Sequence, residues 1–495
     1  MIDFLSFFAY ENLPTLLLLI ACGVLVGYMV GVLPGFDITT GVALLLPLSY
    51  VMGRAEAISF FASMYCSGVF AGSITAILFR IPGTSESTMT AIEGYPFTAA
   101  GNPGTALGIA AICSGVAGVL ATFVLMGLSP LLADVALSFG PGEYAALGLL
   151  GCAAVVSSSG GTFFKTLLAM LLGLLASTVG ADPVTGEFRY VFAEPLRDGI
   201  GLVPAIIGLF AVADVLWRIQ SNERPPSDVS RLSRSWTYPK MVEYLELRWT
   251  FVRGWLIGLF TGILPGAGAS SAAFIAHAAE AQASRSPEMF GKGSKQALAA
   301  PETAKNAAAV GALIPLLALG IPGSATAAVV LGDFEIHDLQ VGPLLFSEQG
   351  ELVNIIFCAV LLANVMFVAA SFFLMKPLSL LTALPYPFLA GIILMLAVVG
   401  SFATGGISAT IVMVGFAVIG LVLKAIEMPP APVILGLVIG PIIEVYFRRG
   451  LLMKDGDVVA VFSSPVALSF LAISLLMLLV PMFQTLGRGS PGRAS

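Results

Sequence analysis

Between Lys305 and Asp333 the chain carries no charged residue, and inside that stretch stands Gly320-Ile321-Pro322-Gly323. An uncharged run of this length belongs in hydrocarbon, where a helix should continue without a break; proline and glycine interrupt it instead. Backbone groups freed in a membrane must find protein, water or solute, so such interruptions persist mainly where they line a cavity. Ser324, Ala325 and Thr326 follow the break, a small and hydroxyl-bearing set that allows a ligand to approach the backbone closely.

The remainder fits a chain that lives in a bilayer. Of 495 residues, 58% are hydrophobic and 11% charged, against roughly 25% charged in soluble domains. Recurrent apolar runs predict an all-α polytopic membrane protein with about ten to twelve crossings or partial crossings. The first apolar run lacks a basic leader and a cleavage site, so it reads as a retained span. The five cysteines lie within apolar runs without metal-type spacing, and only two histidines are present, His277 and His337. These read as buried free thiols and exclude a histidine-rich metal centre.

Order along the chain points to two homologous halves. Gly31-Val32-Leu33-Pro34-Gly35 is mirrored by Gly262-Ile263-Leu264-Pro265-Gly266, and Ile81-Pro82-Gly83-Thr84 by Ile321-Pro322-Gly323-Ser324. An acid, Glu93 or Asp333, stands ten residues past each second glycine. Two pairs of motifs in the same order argue for an internal duplication. We therefore expect a first half over 1–217, with core motifs at 31–41 and 80–96 and scaffold helices over 105–217. A second half spans 254–487, with core motifs at 262–271 and 301–343 and scaffold over 352–487; 488–495 is a tail. Between the halves, 218–253 holds seven basic and four acidic residues and Pro225-Pro226, a solvated linker that the positive-inside rule puts in the cytoplasm. Arg253 to Lys305, basic at both ends and containing Leu264-Pro265-Gly266, fits a re-entrant hairpin, and Glu93-Gly94-Tyr95-Pro96 to Gly104 reads as a polar turn.

Proline- and glycine-broken segments at matching places in two halves are the sequence pointer to a secondary transporter with a site near the midplane. Helix N-termini after each break suit an anionic substrate carboxylate, and carbonyls before it suit sodium. Candidate substrate residues are Gly35, Thr39, Thr40, Arg80, Pro82, Gly83, Thr84, Ser85, Gly266, Gly268, Ser270, Lys305, Asn306, Gly323, Ser324 and Thr326. Coupling-ion candidates are Leu33, Gly35, Leu264, Gly266, Gly320 and Gly323. Arg80 and Lys305 either meet a substrate carboxylate or pair with Glu86 and Glu302 at a water interface. Glu93, Asp333, Glu335 and Asp338 read as solvated helix ends, with coupling-ion ligation as the alternative. Gly323 is expected to border the ligand, so that Gly323→Leu blocks transport but not assembly.

Enzymatic readings fare poorly. Ser270 and His277 lie seven apart, about 10 Å of helical rise and too far for a nucleophile–base hydrogen bond. Gly291-Lys292-Gly293-Ser294-Lys295 lacks the earlier glycine of a phosphate-binding loop. A passive channel or pore for small anions is the alternative to a symporter.

The runs GVLPGFDITTGVALLLP, IPGTSESTMTAIEGYP, GILPGAGASSAAFIAH, FGKGSKQALAAPETAKNAAAVGALIPLLALGIPGSATAAVVLG and VGPLLF closely resemble the TctA-type large membrane subunit of the tripartite tricarboxylate transporter family. That resemblance implies a multi-pass bacterial inner-membrane symporter subunit importing a small di- or tricarboxylate with a coupling ion, sodium or proton, and no other cofactor. It also implies two protein partners, a small TctB-type membrane subunit and a periplasmic TctC-type substrate-binding protein, besides the lipid bilayer; nucleic acid is not expected. By analogy, an elevator-like movement of the broken-helix core against the scaffold is expected.

Overall fold

The computed structural model describes residues 7–33, 36–158, 162–183, 185–221, 237–379 and 386–487. It is all-α apart from one antiparallel pair of two-residue strands, Gly180–Ala181 and Phe188–Arg189. Among the described residues eight helices are long and apolar enough to cross a membrane, and three shorter apolar helices accompany them.

The first half opens with α1 (Leu13–Val32), α2 (Ile38–Leu45, continued by a 3-10 turn to Val51) and α3 (Arg54–Phe79). Gly23, Gly27 and Gly31 recur every fourth residue on one side of α1. Each packs on α3, against the carbonyls of Phe60, Met64 and Gly68 respectively; a Cβ on Gly31 would stand 2.5 Å from the Gly68 oxygen. Partner numbers rise together, so α1 and α3 are parallel and α2 makes the return. Small residues at this spacing let membrane helices approach until their backbones touch, the geometry that van der Waals packing favours in lipid. Next come α4 (Thr88–Ala99), α5 (Pro103–Leu137), α6 (Pro141–Ser157) and α7 (Phe163–Ala176). Of the polar turn expected over Glu93–Gly104, residues 93–99 are instead the body and end of α4 and only 100–102 form the turn: Gly94 seats on Ile77 of α3, and Thr98 Oγ1 donates to the Ile77 carbonyl. After the strand pair, α8 is assembled from Leu202–Ile206, a π-helical stretch Ile207–Val212 and Ala213–Ser221.

Much of the expected linker, 222–236, lies outside the described residues, as does the tail 488–495. The linker's described margins are largely helical, from Arg218 at the end of α8 through α9 (Met241–Glu246) to α10 (Arg248–Ile263). Next come α11 (Gly268–Ala283) and α12 (Lys295–Gly311). Gly254, Gly258 and Gly262 of α10 press on Ala300, Ala304 and Ala308 of α12; a Cβ on Gly258 would lie 2.6 Å from Ala304 Cα. These two helices are again parallel. The helix between them, α11, runs back: Thr250 and Arg253, near the start of α10, both bond Glu280 near the end of α11. At 16 residues each, α10 and α11 rise about 24 Å, short of a full bilayer core.

The uncharged stretch splits into α13 (Leu313–Leu319) and α14 (Ala325–Ile336). Gly320 ends α13 at φ 73°, a left-handed backbone suited to glycine, and Pro322 has no N–H to continue the helix. Ser324 then restarts it, accepting from the Ala327 amide at 3.1 Å. The scaffold follows as α15 (Pro343–Glu348), α16 (Gly350–Ser379), α17 (Tyr386–Ala425, kinked at Gly405-Gly406), α18 (Ala431–Met453), α19 (Val458–Val461) and α20 (Pro465–Gly487). Cysteines 66, 113, 152 and 358 are buried free thiols, while Cys22 is half-buried.

Candidate functional site

Two turns meet two others at the centre. Gly83 donates its amide to the Gly72 carbonyl at 3.2 Å, and a Cβ on it would strike Gly31 and Gly72; Gly323 donates to the Ala312 carbonyl at 3.3 Å, and its Cβ would strike Gly262 and Ala312. Across the halves, Thr39 Oγ1 lies 2.7 Å from Thr326 Oγ1 and Ser270 Oγ donates to Ser85 Oγ at 3.1 Å. The acids after the breaks lock the same seam. Glu93 is wholly buried and accepts from His277 Nε2 and the Gly291 amide, each at 2.7 Å. Asp333, also wholly buried, accepts from Ser49. Both sit inside the protein, contrary to the solvated helix ends expected, because the returning helices α2 and α11 cover them.

A cleft of about 570 Å³ opens where these turns converge. Three helix N-termini reach it. Asp37 caps α2, its Oδ1 2.9 Å from the Thr39 amide; Ser324 caps α14; no side chain caps α11 at Gly268. Peptide dipoles so aligned present partial positive charge and amide hydrogens to the cleft. Hydroxyls of Thr39, Thr40, Tyr65, Ser85, Ser270 and Ser324 line it, with four charged side chains: Asp37, Glu86, Asp214 and Lys424. Lys424 is bonded to Asp214, which also accepts from Arg218 Nε at 3.0 Å.

Of the candidate substrate residues, Thr39, Thr40, Ser85, Gly266, Gly268, Ser270, Ser324 and Thr326 come together in this cleft. Gly35 lies outside the described residues. Pro82, Gly83, Thr84, Lys305, Asn306 and Gly323 stand behind the lining. Arg80 ends α3 in left-handed conformation, exposed, its guanidinium 5.9 Å from the Tyr95 ring and without Glu86 as partner. Lys305 does meet Glu302, but in the core and not at a water interface: both are fully buried, 2.9 Å apart. Ser73, Thr90 and Ser114 also donate to Glu302, and Lys305 reaches Ser73 and Ser87. Gly323 touches backbone of α10 at Gly262 and of Ala312, which joins α12 to α13, so the space it keeps is for helices and not for ligand.

The carbonyl candidates for a coupling ion are already engaged. Leu33 accepts from Phe36, Leu264 from Ala267, Gly266 from Ser158 and Gly323 from Gly266. Gly320 lies against Val341, outside the cleft.

A family model of the tripartite tricarboxylate transporter TctA family matches residues 17–435. The chain belongs to the TctA family. A 52.8 kDa protein from the TAR-I ttuC' 3' region of Agrobacterium vitis, described as uncharacterized, is 34% identical over 466 residues, covering 94% of this chain and 92% of its own. A protein of the TAR-II ttuC' 3' region of the same organism is 30% identical over 233 residues, 46% of this chain and 95% of its own. No solved structure matches the chain significantly. Membership makes this TctA-family protein a multi-pass membrane subunit of a tricarboxylate transport system.

Sequence reasoning overlooked Asp37, Tyr65, Asp214 and Lys424 as lining residues and treated Glu86 as a partner for Arg80. Asp37 carried a readable signal, since an acid directly before Ile38-Thr39-Thr40 is an N-cap pattern. The others reach the cleft through tertiary packing alone.

Proposed function

We propose that this chain is the substrate-translocating subunit of a binding-protein-dependent importer of a small di- or tricarboxylate, driven by a cation gradient. The observation that carries the reading is the convergence of three helix N-termini, one of them uncapped, on a hydroxyl-lined cleft built from both halves. An anionic carboxylate suits the free amides of Gly268, Ala269 and Ser270 and the Ser270 hydroxyl, where the dipole favours negative charge. Transport then needs a co-bound cation, because Asp37 and Glu86 face the same space.

The matching glycine rows, Gly23-Gly27-Gly31 and Gly254-Gly258-Gly262, and the matching contacts of Gly83 and Gly323 support a duplicated core. In this reading the core moves against α5–α7 and α16–α20 in an elevator-like step. The cleft opens beside Asp214, from which α8 runs toward the basic linker, so we assign the opening to the cytoplasmic side of the inner membrane. A periplasmic binding protein delivers the carboxylate on the opposite face, and a small membrane subunit completes the assembly.

The test is uptake of labelled carboxylate into proteoliposomes holding this chain, its small membrane subunit and a loaded binding protein. Uptake should require the binding protein and an inward sodium or proton gradient. Flux that is independent of both would make the protein a passive channel.

A further inference from the structure

We propose that Glu86, with Asp37, holds the coupling cation, a monovalent alkali ion of the sodium class. The inference rests on the transport reading above and names a site within it. Glu86 is 7% exposed, its Oε2 has no hydrogen-bond partner, and it lines the cleft. A carboxylate oxygen buried without a donor is costly and is retained where something positive comes to it. Asp37 lies beside it, joined through Ser85: its Oδ2 accepts from Ser85 Oγ at 2.9 Å and from the Ser85 amide at 3.3 Å.

The nearby cations are committed elsewhere. Lys424 pairs with Asp214, Lys305 with Glu302, and Arg80 faces the Tyr95 ring. Two carboxylates with hydroxyl oxygens around them are hard donors, which suit an alkali ion and not a soft transition metal. The two halves differ at this point. By motif register Glu86 corresponds to Thr326 and Asp37 to Gly268, so acids line the first half's turns where the second half has a neutral hydroxyl and an uncapped helix end. The cation therefore belongs to the first half and the substrate carboxylate to the second, close enough for each to lower the cost of bringing in the other.

The experiment needs no substrate or partner. Thermal unfolding of the detergent-purified chain is followed as sodium chloride replaces choline chloride at constant ionic strength, for wild type, Glu86→Gln and Glu86→Asp. Wild type should gain several degrees with saturation in sodium. Glu86→Gln should lose the gain, and Glu86→Asp should keep it at a roughly tenfold higher half-saturating concentration, which also guards against Glu86→Gln being merely misfolded. An unchanged sodium response in Glu86→Gln would overturn the site, as would a wild type that answers to pH but not to sodium. Sodium-driven uptake that persists in Glu86→Gln would overturn this site alone and leave the transport reading standing.

Discussion

Tyr65 of α3 and Lys305 of α12 occupy matching places beside the two glycine rows. Each follows the residue whose carbonyl receives the middle glycine of a row, Met64 for Gly27 and Ala304 for Gly258. Each sends a buried polar tip across the seam: Tyr65 Oη lies 3.0 Å from Ser324 Oγ, and Lys305 Nζ lies 3.3 Å from Ser87 Oγ. The halves are thus held by reciprocal contacts near the cleft, although tyrosine serves on one side and an ion-paired lysine on the other.

The lysine side is the more sensitive. Lys305→Met would leave Glu302 buried and charged with only hydroxyl donors, a loss of roughly 3–5 kcal/mol of stability. Adding Glu302→Gln should restore most of it. Unfolding of the purified single and double variants checks this, and a double variant no more stable than the single would contradict it.

Gly323→Ala should impair folding and not transport chemistry alone. The added carbon meets the Gly262 oxygen at 2.5 Å and Ala312 Cα at 2.7 Å, both backbone atoms that cannot step aside. Gly268→Ala, by contrast, meets nothing nearer than 3.8 Å and pays only for its left-handed φ of 64°, about 1–2 kcal/mol. Membrane yield and monodispersity should drop sharply for the first variant and only modestly for the second.

Ser270→Ala removes a hydroxyl at the uncapped end of α11 and its bond to Ser85. Loss of one such bond to substrate is worth about 1 kcal/mol, roughly a fivefold rise in the KM for uptake. Kinetics in proteoliposomes read this directly, with protein amount in the membrane as the control.

A cysteine placed at Ser270 should be labelled by a membrane-impermeant maleimide in inside-out vesicles and protected in right-side-out ones. The native thiols, four buried and one half-buried, give a low background. The reverse pattern would turn the cleft toward the periplasm.

Sequence made the helix breaks readable because glycine and proline mark them wherever they occur in greasy helices. It also brought Thr39, Ser270, Ser324 and Thr326 onto the candidate roll, since they follow the breaks directly. What it could not tell was the side from which a glycine is crowded: Gly323 resembles a ligand-facing residue until the Gly262 carbonyl is seen against it. Depth was equally hidden. Lys305, Glu93 and Asp333 read as groups near water, yet each is bonded inside the protein by a residue distant in sequence, Ser73, His277 and Ser49 respectively. Glu86 looked like one more loop acid; Glu56, Glu93 and Asp333 also bury an unpartnered oxygen, and Glu86 differs from them in lining the cleft.

In the proposed transport cycle a carboxylate occupies the cleft lined by Thr39, Ser270 and Ser324. Cryo-electron microscopy of the assembly with saturating carboxylate and sodium tests it most directly. Density is expected against the amides of Gly268 to Ser270, with a second feature beside Glu86 and Asp37. A saturated protein whose cleft is filled by side chains, with solute bound elsewhere, would contradict it.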